Sequence, residues 1–306
     1  MVTTHSPEVW GTFLVVVGAL LVLDLAVLNR RPHVLAPKEA LGWSVGIISL
    51  ALLFGGFLWW EVGHQTALEY YAGYMIELSL SVDNLFVFLL IFQYFAVPPA
   101  LQPRVLKWGI FGAMLMRGVM IAAGALLLSR FTWIIYLFGG ILVLTGLRML
   151  RPGEERIEPE RNPLIRLARR LFPVTSGYEG PHFVLHSAGR WMATPLLLVL
   201  LFVEWSDLVF AIDSIPAVFA VTRDPFVVYA SNLFAILGLR ALFFVLAGAM
   251  DRFHLLKPGV ALILVFVGLK MLLGAWLHVS TLLSLGVIVG ILSCAIGLSL
   301  LRPART

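Results

Sequence analysis

The sequence is short of charge and almost without cysteine. Only 13% of its 306 residues are Asp, Glu, Lys or Arg, about half the share of a soluble domain. That shortage excludes a soluble enzyme, a disordered tail and a nucleic-acid-binding protein. The single cysteine, Cys294, lies in an apolar run, which excludes a disulfide scaffold and a CxxC redox motif. Lysine occurs only at Lys38, Lys107, Lys257 and Lys270, so arginine carries most of the positive charge. No basic stretch precedes the first apolar segment, and Arg30-Arg31 follows it where a cleaved signal peptide would have small residues. Neither HExxH nor the Gly-x-Gly-Asp context of intramembrane proteases occurs, and no enzyme is expected.

What is there is hydrophobicity. Apolar residues make up 60% of the chain, and the mean hydropathy is +0.95. Nine segments, approximately 10–28, 41–60, 70–95, 105–128, 132–149, 194–220, 227–249, 258–276 and 280–301, are long enough to cross a hydrocarbon layer. The expected fold is an all-α polytopic membrane protein. The basic residues cluster in alternate loops. Arg30, Arg31, Lys38, Arg104, Lys107, the arginines of 148–190, Arg252, Lys257, Arg302 and Arg305 lie on one side, and Arg130 and Arg223 on the other. The positive-inside rule then puts the N-terminus outside and the C-terminus in the cytoplasm of a bacterial inner membrane. The net charge of +5 is mostly this topology signal, and the expected surroundings are the lipid bilayer, not nucleic acid.

The stretch 151–193 reads as a cytoplasmic linker. It opens on a charged run around Glu154, Glu155, Glu158 and Glu160. An amphipathic helix follows, with Leu164, Leu167, Ala168 and Leu171 on one face and arginines opposite. His182 to Met192 reads as a short hairpin.

Two parts of the chain resemble each other. Ser81-Val82-Asp83-Asn84-Leu85 aligns with Ala211-Ile212-Asp213-Ser214-Ile215, which sets Glu77 over Asp207. Phe111 to Arg117 aligns with Phe234 to Arg240, and Ile141 to Met149 with Ile263 to Met271. Each copy holds three spans, so the second is inverted, as in transporters whose site lies at a repeat interface. The chain divides into 1–69, two peripheral helices; 70–150, the first repeat; 151–193, the linker; 194–276, the second repeat; and 277–306, a last helix and tail.

Six acids fall inside these spans: Asp24, Glu77, Asp83, Glu204, Asp207 and Asp213. Arg117 and Arg240 are the bases at comparable depth and are expected to form structural ion pairs. Charge at depth costs several kcal/mol unless paired or wetted, so the surplus acids require protons or a bound cation. Asp83 and Asp213 correspond in the repeat, each followed by a polar residue, Asn84 or Ser214. Glu77 and Asp207 precede them by six residues, about 9 Å along a helix and roughly 120° around it. One regular helix cannot aim both at one ion. Pro216 removes a donor to the Ile212 carbonyl, which suggests a break beside Asp213. The expected metal ligands are Asp83, Asp213, Asn84, Glu77, Asp207 and Ser214. Glu204 suits a cytoplasmic entrance, Asn232 a ligand or a helix-to-helix hydrogen bond, and Asp24 a structural pair. Oxygen donors suit Mg²⁺, Ca²⁺ or Mn²⁺, with no tightly bound cofactor expected.

The run Glu77-Leu78-Ser79-Leu80-Ser81-Val82-Asp83-Asn84, the pieces Phe172-Pro173-Val174-Thr175 and Thr194-Pro195-Leu196, and the long segment from Asp207 through Arg240 resemble the TerC family of integral membrane proteins, named for tellurite resistance. Its Alx-type branch belongs to the LysE-like transporter superfamily. The resemblance covers most of the chain, and it implies export of a divalent cation, with Mn²⁺ as the transported ion. The alternative is a membrane scaffold for a metal or tellurite stress-response complex, joined to other membrane proteins, with purely structural intramembrane charges.

Overall fold

The computed structural model describes residues 5–27, 37–131, 133–150, 167, 170, 173–175, 177–187, 190–247, 255–274 and 279–301. Within these, the side chains of residues 24–27, 37, 82, 83, 86, 129, 187, 240, 256 and 257 lie outside the description. The charged run and amphipathic helix expected in the linker fall almost wholly outside the described residues.

Nine long helices are present among the described residues: α1 (Pro7–Val27), α2 (Pro37–Glu61), α3 (His64–Tyr94), α4 (Gln102–Arg130), α5 (Ile134–Met149), α6 (Pro195–Phe219), α7 (Pro225–Ala247), α8 (Leu256–Leu272) and α9 (Thr281–Leu301). Four of them open on proline, which is preset for a first helical turn and has no amide to leave unpaired. Asp224 caps α7 by accepting from the Phe226 amide at 3.0 Å. Gly63, at φ +131°, makes the sharp α2–α3 turn. The helix α3 starts at His64, so a division at residue 69 falls inside it. A correction applies to α6. It runs unbroken through Pro216 to Phe219, because a proline in the last turn interrupts too few bonds to unwind it.

α2, α4, α6 and α9 are long and apolar enough to cross a membrane, and α7 joins them if its 48° bend is one span. α1, α5 and α8 hold shorter apolar stretches. Their outer faces expose Val15, Leu53, Leu115, Leu144 and Leu283, each more than half accessible. A soluble protein does not expose apolar surface on this scale. Trp59, Trp60 and Trp133 are exposed at one end of the bundle, and Tyr94, Trp108 and Trp191 at the other, the two belts expected at membrane interfaces.

Strands β1 (Val184–Ser187) and β2 (Arg190–Ala193) form an antiparallel hairpin. It docks where α3 ends and α4 begins: Tyr178 donates to the Phe95 carbonyl at 2.7 Å, and Arg104 lies over the Phe183 ring at 5.4 Å. This hairpin end is the reference direction below.

α5 and α8 pack most extensively, through glycine. A Cβ on Gly146 would lie 2.7 Å from both the Ala261 carbonyl and Val265 Cγ2. One on Gly268 would lie 2.8 Å from both the Gly139 carbonyl and Val143 Cγ2. In the repeat alignment Gly146 corresponds to Gly268, Ala261 to Gly139 and Val265 to Val143, so one contact is the two-fold mate of the other. Small residues permit this approach, the usual basis of helix pairing in membranes.

Candidate functional site

α3 and α6 cross antiparallel in a register that buries their polar residues together. Gly73 meets Val218. Four residues on, Glu77 stands opposite Ser214, which lies four residues back. Seven further, Asn84 meets Asp207. This symmetry places the two-fold axis between the helices near Leu80 and Ala211. Exchange of the repeats turns the Glu77 and Ser214 pair into Asp207 and Asn84.

The two pairs are held differently. Arg117 of α4 enters the first, donating from Nη1 to Glu77 Oε2 at 2.6 Å and to Ser214 Oγ at 3.3 Å. Glu77 is 0% exposed and Arg117 1%, so each charge depends on the other for compensation. In the second pair, Asn84 Nδ2 reaches Asp207 Oδ1 directly, at a long 3.5 Å. Asn84, Asp207 and Ser214 are all buried. Arg240, the mate of Arg117, lies in α7 with its side chain outside the described residues; so do the side chains of Asp83 on α3 and Asp24 on α1.

Because α6 is regular, Asp207 and Asp213 address different neighbours. Asp207 turns to α3, whereas half-buried Asp213 accepts from Thr145 Oγ1 of α5 at 2.9 Å. Half-buried Glu204 occupies a niche that exists because residue 112 has no side chain; a Cβ on Gly112 would collide with its carboxylate. On the hairpin side of Asp207 lies a cavity of about 10 Å³, bounded by Phe88, Leu106, Gly109, Val203, Ile236 and Asp207 itself. That is close to the space one water centre needs. Asn232 of α7 is 1% exposed, and its Nδ2 has no hydrogen-bond partner among the described residues. The same holds for Glu77 Oε1, Arg117 Nε and Ser81 Oγ. Among the described side chains, which do not include Asp83, no three His, Cys, Asp or Glu cluster as metal ligands.

Two polar groups escaped the sequence reading. Thr145 lay within an apolar match of the repeat, where its counterpart is Val267, so nothing marked it as a partner of Asp213. Glu69 fell outside a third span drawn from residue 70. It accepts from Thr222 Oγ1 at 2.6 Å and from Gln65 Nε2 at 2.9 Å, and Lys270 lies within its Coulombic reach.

A bundle of lipid-compatible helices with ionisable side chains sealed inside it is an integral membrane protein. The chain belongs to the TerC family, the integral membrane protein family whose model matches residues 62–306. It is 50% identical to "Uncharacterized membrane protein STKORF319" of Myxococcus xanthus, over 97% of this chain and 93% of that one. It is 47% identical to the Escherichia coli K12 protein named "Putative membrane-bound redox modulator Alx", over 95% of this chain and 94% of that one. A Rickettsia bellii membrane protein is 39% identical over 96% of this chain and 97% of its own length. No solved structure is a significant match.

Proposed function

We propose that the protein is a transporter that exports a hard divalent cation, Mn²⁺, through acids at the interface of two inverted repeats. One observation carries the reading. Glu77, Asp207, Asp213 and Glu204 are buried or half-buried in the bundle, and Arg117 is the one deep base among the described side chains. Glu77 is compensated by Arg117 and Arg240 is expected to take one more acid; the remainder call for a mobile cation or protons. Asn84, Asp207 and Ser214 are the proposed oxygen donors at the crossing of α3 and α6, and Asp213 with its repeat mate Asp83 the donors of a separate step on the path, an oxygen set that suits Mn²⁺ better than a soft metal. Glu204 serves the mouth on the hairpin side, taken as cytoplasmic.

The redox role in the relatives' name fits as a consequence of moving a redox-active metal. Thiol cycling within the chain would need a second cysteine besides Cys294. Metal flux by the purified protein in liposomes, compared across Mn²⁺, Mg²⁺, Ca²⁺ and Zn²⁺, tests the reading. Asp83→Asn and Asp213→Asn should insert normally yet lose Mn²⁺ flux, while Glu154→Gln in the linker behaves as the parent. Flux retained by both Asn variants would remove the site, and no flux in the parent would favour a scaffold with structural charges.

A further inference from the structure

One face of α4 is covered differently from its counterpart on α7. Arg104, Lys107, Trp108, Phe111, Leu115 and Val119 fall at helical spacing on that face, and the four apolar ones are exposed. In the repeat alignment Arg104 falls on Val227, Lys107 on Ala230, Phe111 on Phe234 and Leu115 on Gly238. On α7 this face is covered by protein. Phe13 of α1 and Phe54 of α2 meet the Phe234 ring at 6.4 and 5.1 Å, and a Cβ on Gly238 would touch Ile47 of α2 at 3.8 Å. No described helix covers α4 in this way, and its two charges stand where α7 has buried Val227 and Ala230.

The uncovered stripe has the length and polarity of one lipid. From Trp108 to Val119 the helix rises about 16 Å, close to half of a roughly 30 Å hydrocarbon core. Toward the hairpin come the charges. Arg104 lies over the Phe183 ring at 5.4 Å, and Phe183 meets Trp108 edge-on at 6.4 Å. The hairpin thus fixes the guanidinium at the height of the tryptophan belt. Arg104 Nε is sealed from water without a partner, which leaves its Nη atoms as donors. Among the described residues no carboxylate pairs with Arg104 or Lys107. A half-buried cation calls for a counter-charge, and at this depth of a bilayer the anionic acceptor is a lipid phosphate, which a guanidinium fits.

We propose that the start of α4 and the hairpin form a seat for one anionic phospholipid of the hairpin-side leaflet. Arg104 and Lys107 hold its phosphate, Trp108 lies against its glycerol region, and an acyl chain follows Phe111, Leu115 and Val119. A zwitterionic headgroup would bring an ammonium beside two uncompensated cations, so the seat selects net negative charge. Because Phe183 stacks on the same guanidinium, the bound lipid also fastens the hairpin. The seat is independent of what the protein transports.

Native mass spectrometry of the detergent-purified protein, titrated with phosphatidylglycerol or with phosphatidylcholine of the same chains, tests the seat. One phosphatidylglycerol should be retained in preference to phosphatidylcholine. Arg104→Gln should weaken its binding roughly tenfold, the loss expected of a charge-assisted contact, and Lys107→Gln about fivefold. Arg130→Gln, exposed at the other end of α4, should match the parent. Equal retention of the two lipids, or undiminished binding by Arg104→Gln, would overturn the seat. Excess inorganic phosphate should leave the lipid bound; its displacement would make this a free-anion site and overturn the lipid assignment. The unsubstituted protein supplies a test that needs no variant to fold. In nanodiscs, the hairpin should resist protease better in phosphatidylglycerol than in phosphatidylcholine, and equal cleavage in both would overturn the proposal that the lipid fastens it.

Discussion

Arg117 is the residue on which the buried charge balance turns. It holds Glu77 at 2.6 Å and reaches Ser214 at 3.3 Å, with no water-accessible surface to soften its loss. Arg117→Ala should leave Glu77 uncompensated and cost about 3–5 kcal/mol, seen as a lower melting temperature in detergent. Arg117→Ala with Glu77→Gln should recover much of the loss, because an amide needs no counter-ion. An Arg117→Ala protein as stable as the parent would show that the pair contributes nothing to folding. The sequence made these residues visible because a charge in an apolar run has few explanations. It could not show which acid the arginine takes. That depends on the α3–α6 register, and Glu77 and Asp207 are equivalent until the helices cross. Thr145 stayed hidden for the opposite reason, since a threonine in an apolar helix satisfies itself on its own backbone as readily as it partners an acid.

The helices were legible in the sequence almost to their ends, because each needs a long apolar run bounded by proline, glycine or charge. The exception is instructive. Pro216 marks a missing donor wherever it sits, but its position in the last turn of α6 decides that the helix survives, and helix ends are not readable to within a turn. The glycine pairing of α5 and α8 was legible only as a repeat, since which face each glycine presents depends on the partner. It makes a paired prediction. Gly146→Ala and Gly268→Ala each press a methyl onto a carbonyl and a valine of the other helix. Overpacking of this kind costs about 1–3 kcal/mol, and the losses in thermal stability should be alike. Gly290→Ala on α9, with nothing within 4 Å, should be neutral. Unequal losses would mean that the two contacts are not mates. The hairpin carries its own prediction. Burial pushes the Tyr178 phenol up to about 12, above its unfolded value near 10. Its contribution to docking is therefore complete below about pH 10 and lost as the pH rises through about 12. Tyr178→Phe, which deletes the bond to Phe95, should weaken docking by about 0.5–1.5 kcal/mol and flatten that alkaline loss. Protease sensitivity of the hairpin across pH measures both.

At the scale of the whole molecule, the two aligned halves carry unlike chemistry. Asp207 corresponds to Glu77 and Asn84 to Ser214, so the centre keeps its polarity on exchange. Glu204 does not: its counterpart is Tyr74, 1% exposed and stacked on Tyr70. The hairpin end thus holds an acid, one turn from Asp207 and niched against Gly112, where the opposite end has an aromatic ring; the acid of that other end, Glu69, is engaged by Thr222 and Gln65. An acid at one mouth raises the local concentration of cations there, so it should act on capture from that side and leave the central site unchanged. Glu204→Gln should accordingly raise the KM for Mn²⁺ supplied at the hairpin face and leave the maximal rate near that of the parent. Supply from the opposite face should be unaffected. The two faces can be separated in vesicles of known orientation, fixed by a cysteine at exposed His186 in a Cys294→Ser background. The arginine-rich loops predict that this cysteine reacts only with reagent on the cytoplasmic side. If Glu204→Gln lowers the rate equally from both faces, the carboxylate belongs to the central site, and the difference between the mouths lies elsewhere in the bundle.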